Sequence, residues 1–189
     1  MTKTDANNDG PEEVLLDGAA VERAIRRIAS ELVERTRGAE NLALVGVRRG
    51  GVPVAERLAK AIEHAEGRRV PVGSVDISLY RDDAATALPD PKIGPSDIPF
   101  TIAGHHVVIV DDVLQTGRTI RAAIECLLDY GRPKRVWLAV LCDRGGRELP
   151  VSADFVGVSV EAPAGALISA EVDAEGSGSV VMGLGKGES

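Results

Sequence analysis

The chain has 189 residues, 44% of them hydrophobic, with 22 basic against 29 acidic side chains for a formal charge of −7. That is enough apolar material for one well-buried core, which excludes a disordered chain, and no apolar run approaches the ~20 residues of a membrane span. The acidic balance argues against broad, non-specific affinity for nucleic acid, while leaving room for a local basic face. The first thirteen residues read as a disordered polar tail without the apolar stretch of a signal peptide. Asp17 caps a helix reaching about Arg37, with Val21, Ile25, Ile28, Leu32 and Val33 along one stripe and Gly38 as its stop. The opposite face carries Arg23, Arg26, Arg27, Glu31 and Glu34, a solvated face with i,i+4 pairs such as Arg27–Glu31. Leu42–Val47 is a short buried strand. Arg48-Arg49-Gly50-Gly51 follows, and Val52-Pro53 opens a helix reaching about His64. Arginines and glycines at such a turn suggest an anion site. Val70 to Tyr80 reads as a long strand, alternating from residue 74 onward. Residues 81–99, with four prolines, form a loop of a length that is usually functional or mobile inside a compact domain.

The rest of the chain is organised around His106 to Thr119. Val107–Val110 is a continuous apolar run, as in a strand covered on both faces, and it leads straight into Asp111 and Asp112. Thr116-Gly117-Arg118-Thr119 then opens a helix with Ile120, Ile124, Leu127 and Leu128, running to Tyr130 and closed by Gly131 and Pro133. Small, hydroxylated residues at a helix start form an anion cradle from backbone N–H groups. Carboxylates followed at once by such a cradle suit a diol beside a phosphate, as in ribose 5-phosphate. Asp-Asp also ends Walker-B strands, but no G-x-x-x-x-G-K-[ST] partner occurs, and Gly185-Lys186-Gly187 lacks the hydroxyl residue. Val136–Leu141 is the next buried strand, with Trp137 as a packing residue, and Asp143-Arg144-Gly145-Gly146-Arg147 leaves its carboxyl end. Phe155–Val160, Ala166–Val172 and Ser179–Leu184 finish the fold. Cys126 and Cys142 read as buried thiols, and His64, His105 and His106 have no zinc spacing. The pattern predicts one doubly wound α/β domain over 14–183, between polar tails at 1–13 and 184–189.

The segment from Val110 to Thr119 resembles the phosphoribosyl-pyrophosphate (PRPP) loop of type I phosphoribosyltransferases. Asp76-Ile77-Ser78-Leu79-Tyr80-Arg81-Asp82-Asp83, Tyr130-Gly131-Arg132-Pro133 and Leu141 to Pro150 narrow the resemblance to the PyrR family. These are uracil phosphoribosyltransferases that also regulate pyrimidine operons by binding mRNA. The resemblance implies a type I phosphoribosyltransferase fold, a mostly parallel sheet with a flexible flap at 81–99 and a small hood. It implies that uracil N1 attacks C1 of PRPP to give UMP and pyrophosphate. Asp111 and Asp112 would hold the ribose hydroxyls, and Thr116, Gly117, Arg118 and Thr119 the 5-phosphate. Arg48 or Arg49, with Gly50 and Arg81, would receive the pyrophosphate, and Asp143 and Arg144 would border the uracil pocket. Mg²⁺ would be held by substrate oxygens and water, without a dedicated protein cage. An RNA face would draw on Arg23, Arg26, Arg27, Arg144 and Arg147. A cytoplasmic homodimer or higher homo-oligomer is implied as well. Two departures stand out: Arg-Arg-Gly-Gly keeps both Arg48 and Arg49 as candidates, and Ser30 and Gly146 stand where relatives often carry histidine. The alternative readings are an RNA-binding attenuation regulator using the site as a nucleotide sensor, and a phosphoribosyltransferase for another nucleobase.

Overall fold

Unbroken apolar runs decide the centre of the molecule. β2 (Leu42–Val47) is buried throughout and β4 (His106–Leu114) is buried from Val107 to Asp111, as strands covered on both faces must be. They pair in parallel, Leu42 with His106 through to Gly46 with Val110. With β3 (Val72–Val75), β5 (Arg135–Asp143) and β6 (Phe155–Ser159) they make a five-stranded sheet of order β3-β2-β4-β5-β6, parallel at every pairing. The structure is a computed structural model and describes residues 12–80 and 95–184.

Alternating side chains of β4 divide between two cores. Val108 and Val110 pack with α1 (Gly18–Thr36) and α2 (Gly51–Glu66) through Ile25, Ile28 and Leu58. Val107 and Ile109 pack on the other face with Ile120 and Leu127 of α3 (Arg118–Asp129). The doubly wound α/β architecture is therefore the observed one. Trp137 is a packing residue, stacked on His106 at 5.0 Å and edge-on to Phe155 at 6.2 Å. Both cysteines are buried free thiols.

Asp17 caps α1 by accepting the Ala20 N–H at 2.7 Å. The helix stops one residue before the expected glycine, because Arg37 itself takes the left-handed conformation at φ 57 and Gly38 follows at φ 110. Of the strand expected over Val70–Tyr80, only Val72–Val75 forms. The Asp76 carboxylate accepts from the Ser78 N–H at 2.9 Å and its hydroxyl at 2.6 Å, and the Tyr80 N–H returns to the Ile77 carbonyl. Local side-chain bonding of this kind competes with a strand ladder and here replaces it.

A second, antiparallel sheet of order β1-β8-β7 is built from β1 (Glu13–Leu16), β7 (Ala166–Val172) and β8 (Gly178–Leu184). It takes one residue from each expected tail: Glu13 pairs with Met182 and Leu184 with Ala166. The remainder of both tails, apart from Glu12, lies outside the described residues, as do 81–94, which include Arg81 and most of the expected flap. Among the described residues no helix is long and apolar enough to cross a membrane.

Candidate active site

The parallel register of β2 and β4 ends both strands at the same level, so the turn at Arg48–Gly50 meets Asp111 and Asp112. Successive strand residues face opposite ways, and the two aspartates differ accordingly. Asp111 is 5% exposed and Asp112 is half-buried. Asp111 Oδ1 accepts the Asp112 N–H at 3.0 Å, and Asp112 Oδ1 accepts the Val113 N–H at 2.8 Å. Burial first, and then the charge of Asp112, hold the Asp111 carboxyl well above its ordinary value.

Two glycines let the arginine turn come this close. A Cβ at Gly50 would lie 2.0 Å from Asp112 Oδ2, and one at Gly51 would lie 2.1 Å from the Val110 carbonyl oxygen. Arg48 and Arg49 are exposed, their shared peptide bond is cis, and Arg48 Nε donates to Ser74 Oγ at 3.2 Å. The resulting cleft of about 390 Å³ is lined by Arg48, Arg49, Asp76, Asp111, Asp112 and Thr119.

Beyond β4 the chain turns through Thr116–Thr119. Gly117 sits at φ 90 immediately before α3, and the Arg118 N–H bonds Thr116 Oγ1 at 3.3 Å. Among the described residues nothing accepts from the N–H groups of Gly117, Thr119 and Ile120. Free donors at a helix start, reinforced by the helix dipole, favour an anion. They border a cleft of about 410 Å³ whose far wall includes Arg144, Glu148, Leu167 and Ile168. Asp111, Val113 and Thr119 line both clefts and join them. One trough thus presents cations, then carboxylates, then anion donors.

The phosphoribosyl transferase domain model matches residues 12–173. The bifunctional protein PyrR of Roseiflexus sp. is 57% identical over 149 residues, 79% of this chain and 81% of its own length. That of Pelotomaculum thermopropionicum is 54% identical over 146 residues, 77% and 81% of the two chains. The chain belongs to the PyrR family. The hypoxanthine phosphoribosyltransferase of Trypanosoma cruzi shares its fold, with a TM-score of 0.62 at 22% identity over 78% of this chain and 81% of that one. The family and the type I phosphoribosyltransferase fold implied by the sequence resemblance are therefore the ones found.

Within this PyrR-family framework, Arg48, Arg49, Gly50, Asp111, Asp112 and Thr116–Thr119 converge on the trough. Arg144 lines it and also donates from Nη2 to the Ala166 carbonyl at 2.8 Å, tying β7 to the site. Asp143 is turned inward, accepting the Gly145 N–H at 3.0 Å and pairing with Arg147. The five arginines assigned to RNA divide between two elements. Arg23, Arg26 and Arg27 are exposed on α1, where Arg26 pairs with Glu22, and Arg27 with Glu31 and with the carbonyls of Val156 and Gly157. Arg26 also borders a separate cleft of about 500 Å³ between α1, α2 and residues 174–176. Arg144 lines the trough and Arg147 lies behind it, both engaged in bonds within the protein. Sequence reading missed Gly51, Ser74 and the hood residues Leu167 and Ile168. Gly51 carried a signal, as the second of two glycines before a helix; the strand of Leu167 and Ile168 was legible as Ala166–Val172, but its approach to the site follows from the packing of the second sheet.

Proposed function

We propose that the chain transfers the phosphoribosyl group of PRPP to uracil, forming UMP and pyrophosphate in a Mg²⁺-dependent reaction. One observation carries this reading: a carboxylate pair lies between an anion-donor turn and an arginine–glycine turn in a single trough. A ribose phosphorylated at C5 and pyrophosphorylated at C1 needs these three environments in this order. The N–H groups of Gly117, Thr119 and Ile120 take the 5-phosphate. Asp112, the more accessible carboxylate, accepts from the ribose hydroxyls and faces the positive charge that develops at C1 in an oxocarbenium-like transition state. Asp111, held toward its neutral form, can donate as well as accept. Arg48 and Arg49, with Arg81 joining from outside the described residues, receive the pyrophosphate.

Among the described residues the trough lining offers carboxylate oxygens from Asp76 and Asp112 and no thiol or imidazole, a donor set suited to a hard cation. Substrate oxygens and water would complete the shell of a cation held there. Bound there, Mg²⁺ supplies neutralisation of pyrophosphate charge. Uracil is read by backbone groups near 142–146 and 156–160, with Asp143 and Arg144 at the border. The same reading makes the chain a cytoplasmic homo-oligomer of residues 14–183 as one domain.

Pyrophosphate release with PRPP, Mg²⁺ and each nucleobase in turn is the direct assay, and uracil should be the base used. A preference for hypoxanthine or guanine would replace uracil and keep the phosphoribosyl chemistry. Asp112→Asn and Thr116→Val should each lose roughly 10²–10³ in rate, the usual consequence of removing one preorganised charge or donor, with unchanged melting. Wild-type turnover in both removes this assignment of the trough. Regulation of a pyrimidine operon through mRNA is the second proposed role, supported by the exposure of Arg26 (73% of its side chain). UMP-enhanced binding of the leader RNA of its own operon, lost in Arg27→Ala, is the expected outcome; binding no tighter than to an unrelated RNA ends that role.

A further inference from the structure

Arg147 spends its guanidinium inside the protein. Nε donates to the Val151 carbonyl at 2.9 Å, Nη1 to the Gln115 carbonyl at 2.9 Å and to Gly145 at 3.4 Å, and Nη2 pairs with Asp143 Oδ2 at 2.5 Å. Next to it, the N–H groups of Glu148 and Leu149 both donate to the Thr116 carbonyl at 3.0 Å. Val151 backs Gly117 so closely that a Cβ there would meet it at 3.2 Å. The two carbonyls that open the phosphate turn, those of residues 115 and 116, are thus both drawn toward the 147–149 segment.

The consequence follows from peptide geometry. A trans peptide is planar, so its N–H points opposite to its C=O. Holding the Gln115 carbonyl on Arg147 aims the Thr116 N–H away from the 147–149 segment. Holding the Thr116 carbonyl on residues 148 and 149 does the same for the Gly117 N–H. Without this hold, either peptide could flip and put a carbonyl dipole where a phosphate oxygen should sit. A dianion would then meet an acceptor in place of a donor.

We propose that Arg147 is a positioning residue for the 5-phosphate, one whose fork fixes the peptide planes of the anion turn and which Asp143 in turn orients. This rests on the phosphoribosyl reading of the trough, and it places Arg147 behind the site. The planar fork satisfies four acceptors in fixed directions, which a lysine ammonium on a flexible stem cannot reproduce.

The test compares wild type with Arg147→Gln and Arg147→Lys, using ribose 5-phosphate as a calorimetric probe and steady-state kinetics with PRPP and uracil. Affinity for ribose 5-phosphate should fall roughly 10–100-fold in both variants, the range typical of removing an outer-shell partner. KM for PRPP should rise by a similar factor while KM for uracil holds. Unchanged ribose 5-phosphate affinity in Arg147→Gln, or equal rises in both KM values, overturns the proposal. Wild type that binds no ribose 5-phosphate overturns the underlying reading of the trough instead. Should the variants not fold, hydrogen exchange on wild type decides. The Glu148 and Leu149 amides should be protected in the free protein, and the Thr116 and Gly117 amides should become protected when ribose 5-phosphate is added. Rapid exchange at 148 and 149, or no added protection at 116 and 117, overturns it.

Discussion

Asp111 and Asp112 are adjacent in sequence and opposite in environment, and alternation along β4 is the cause. The motif itself was legible, because an apolar strand running into two carboxylates and a small hydroxylated turn is a contiguous signal. Alternation also predicts that one aspartate contacts ligand more directly, though sequence does not say which. The structure makes Asp112 the accessible member and buries Asp111. That burial has a price in stability with a definite sign. The folded chain keeps the Asp111 proton to higher pH than the unfolded chain, whose value is near 3.8. Folding therefore takes up a proton in the window above 3.8, and stability falls as pH rises through it. Asparagine does not titrate. Asp111→Asn should melt at a higher temperature than wild type near neutral pH, with the gain shrinking as pH approaches 3.8, while turnover drops. Thermal melts over a pH series check this, and parallel pH profiles for the two proteins would contradict it.

At the scale of elements, the signals that worked were periodicities. Apolar runs located β2, β4 and β5, 3.6-residue stripes located α1 and α3, and a proline in the first turn located α2. Residues 76–80 failed because alternation there is real but Asp76 and Ser78 satisfy their backbone locally. β7 and β8 were legible as a weak pair because they form a hairpin whose partners lie 6 to 18 residues apart; β1 was invisible because it is held by pairing with β8 across the chain, as Glu13 with Met182, 169 residues away. The β2–α2 junction shows how two neighbouring glycines can serve different ends. At Gly50 a Cβ meets a side chain, Asp112, which can move aside; at Gly51 it meets the backbone of Val110 and Asp111, which cannot. Gly50→Ala should therefore keep the fold and lose turnover, by displacing Asp112. Gly51→Ala should force α2 away from β4 and cost about 1–3 kcal/mol, as overpacking does, which is about 2–4 °C in Tm per kcal/mol for a chain of this size. Melting and pyrophosphate-release assays on the pair separate these effects, and a reversed ranking would refute this account of the turn.

At the scale of the whole molecule, the hood and the parallel sheet are joined by a clamp that no sequence window contains. Arg57 of α2, with only 4% of its side chain exposed, donates from Nη2 to Glu22 of α1 at 2.7 Å and from Nη1 to the Ser177 carbonyl at 3.2 Å. Those partners lie 35 and 120 residues away in sequence, so the arginine reads from sequence only as one more helix charge. Lys60 adds a bond to the Ala174 carbonyl at 2.7 Å, and the Asp173 carboxylate shapes the turn by accepting N–H groups of 175, 176 and 177. Because α2 begins at the Gly50–Gly51 turn, the clamp fixes the hood tip relative to the arginine turn across a cleft of about 750 Å³ bordered by Arg49, Asp112 and Asp173. We propose that this makes residues 14–183 a single cooperative unit. Arg57→Ala leaves Glu22 partly exposed and still paired with Arg26. The loss is then that of charge-assisted hydrogen bonds, about 1.5–3 kcal/mol, without the larger penalty of a stranded buried ion. The pH dependence gives an independent check. Arg57 first, and Arg26 second, hold the Glu22 carboxyl below its ordinary 4.5. Its contribution to stability is complete above 4.5 and is lost as pH falls below that value. Wild type should unfold in one transition and lose stability on acidification through this range; Arg57→Ala should start less stable and lose less. Two separate transitions in wild type would break the single-unit proposal, and an acid profile unchanged by Arg57→Ala would show that the clamp does not act through Glu22.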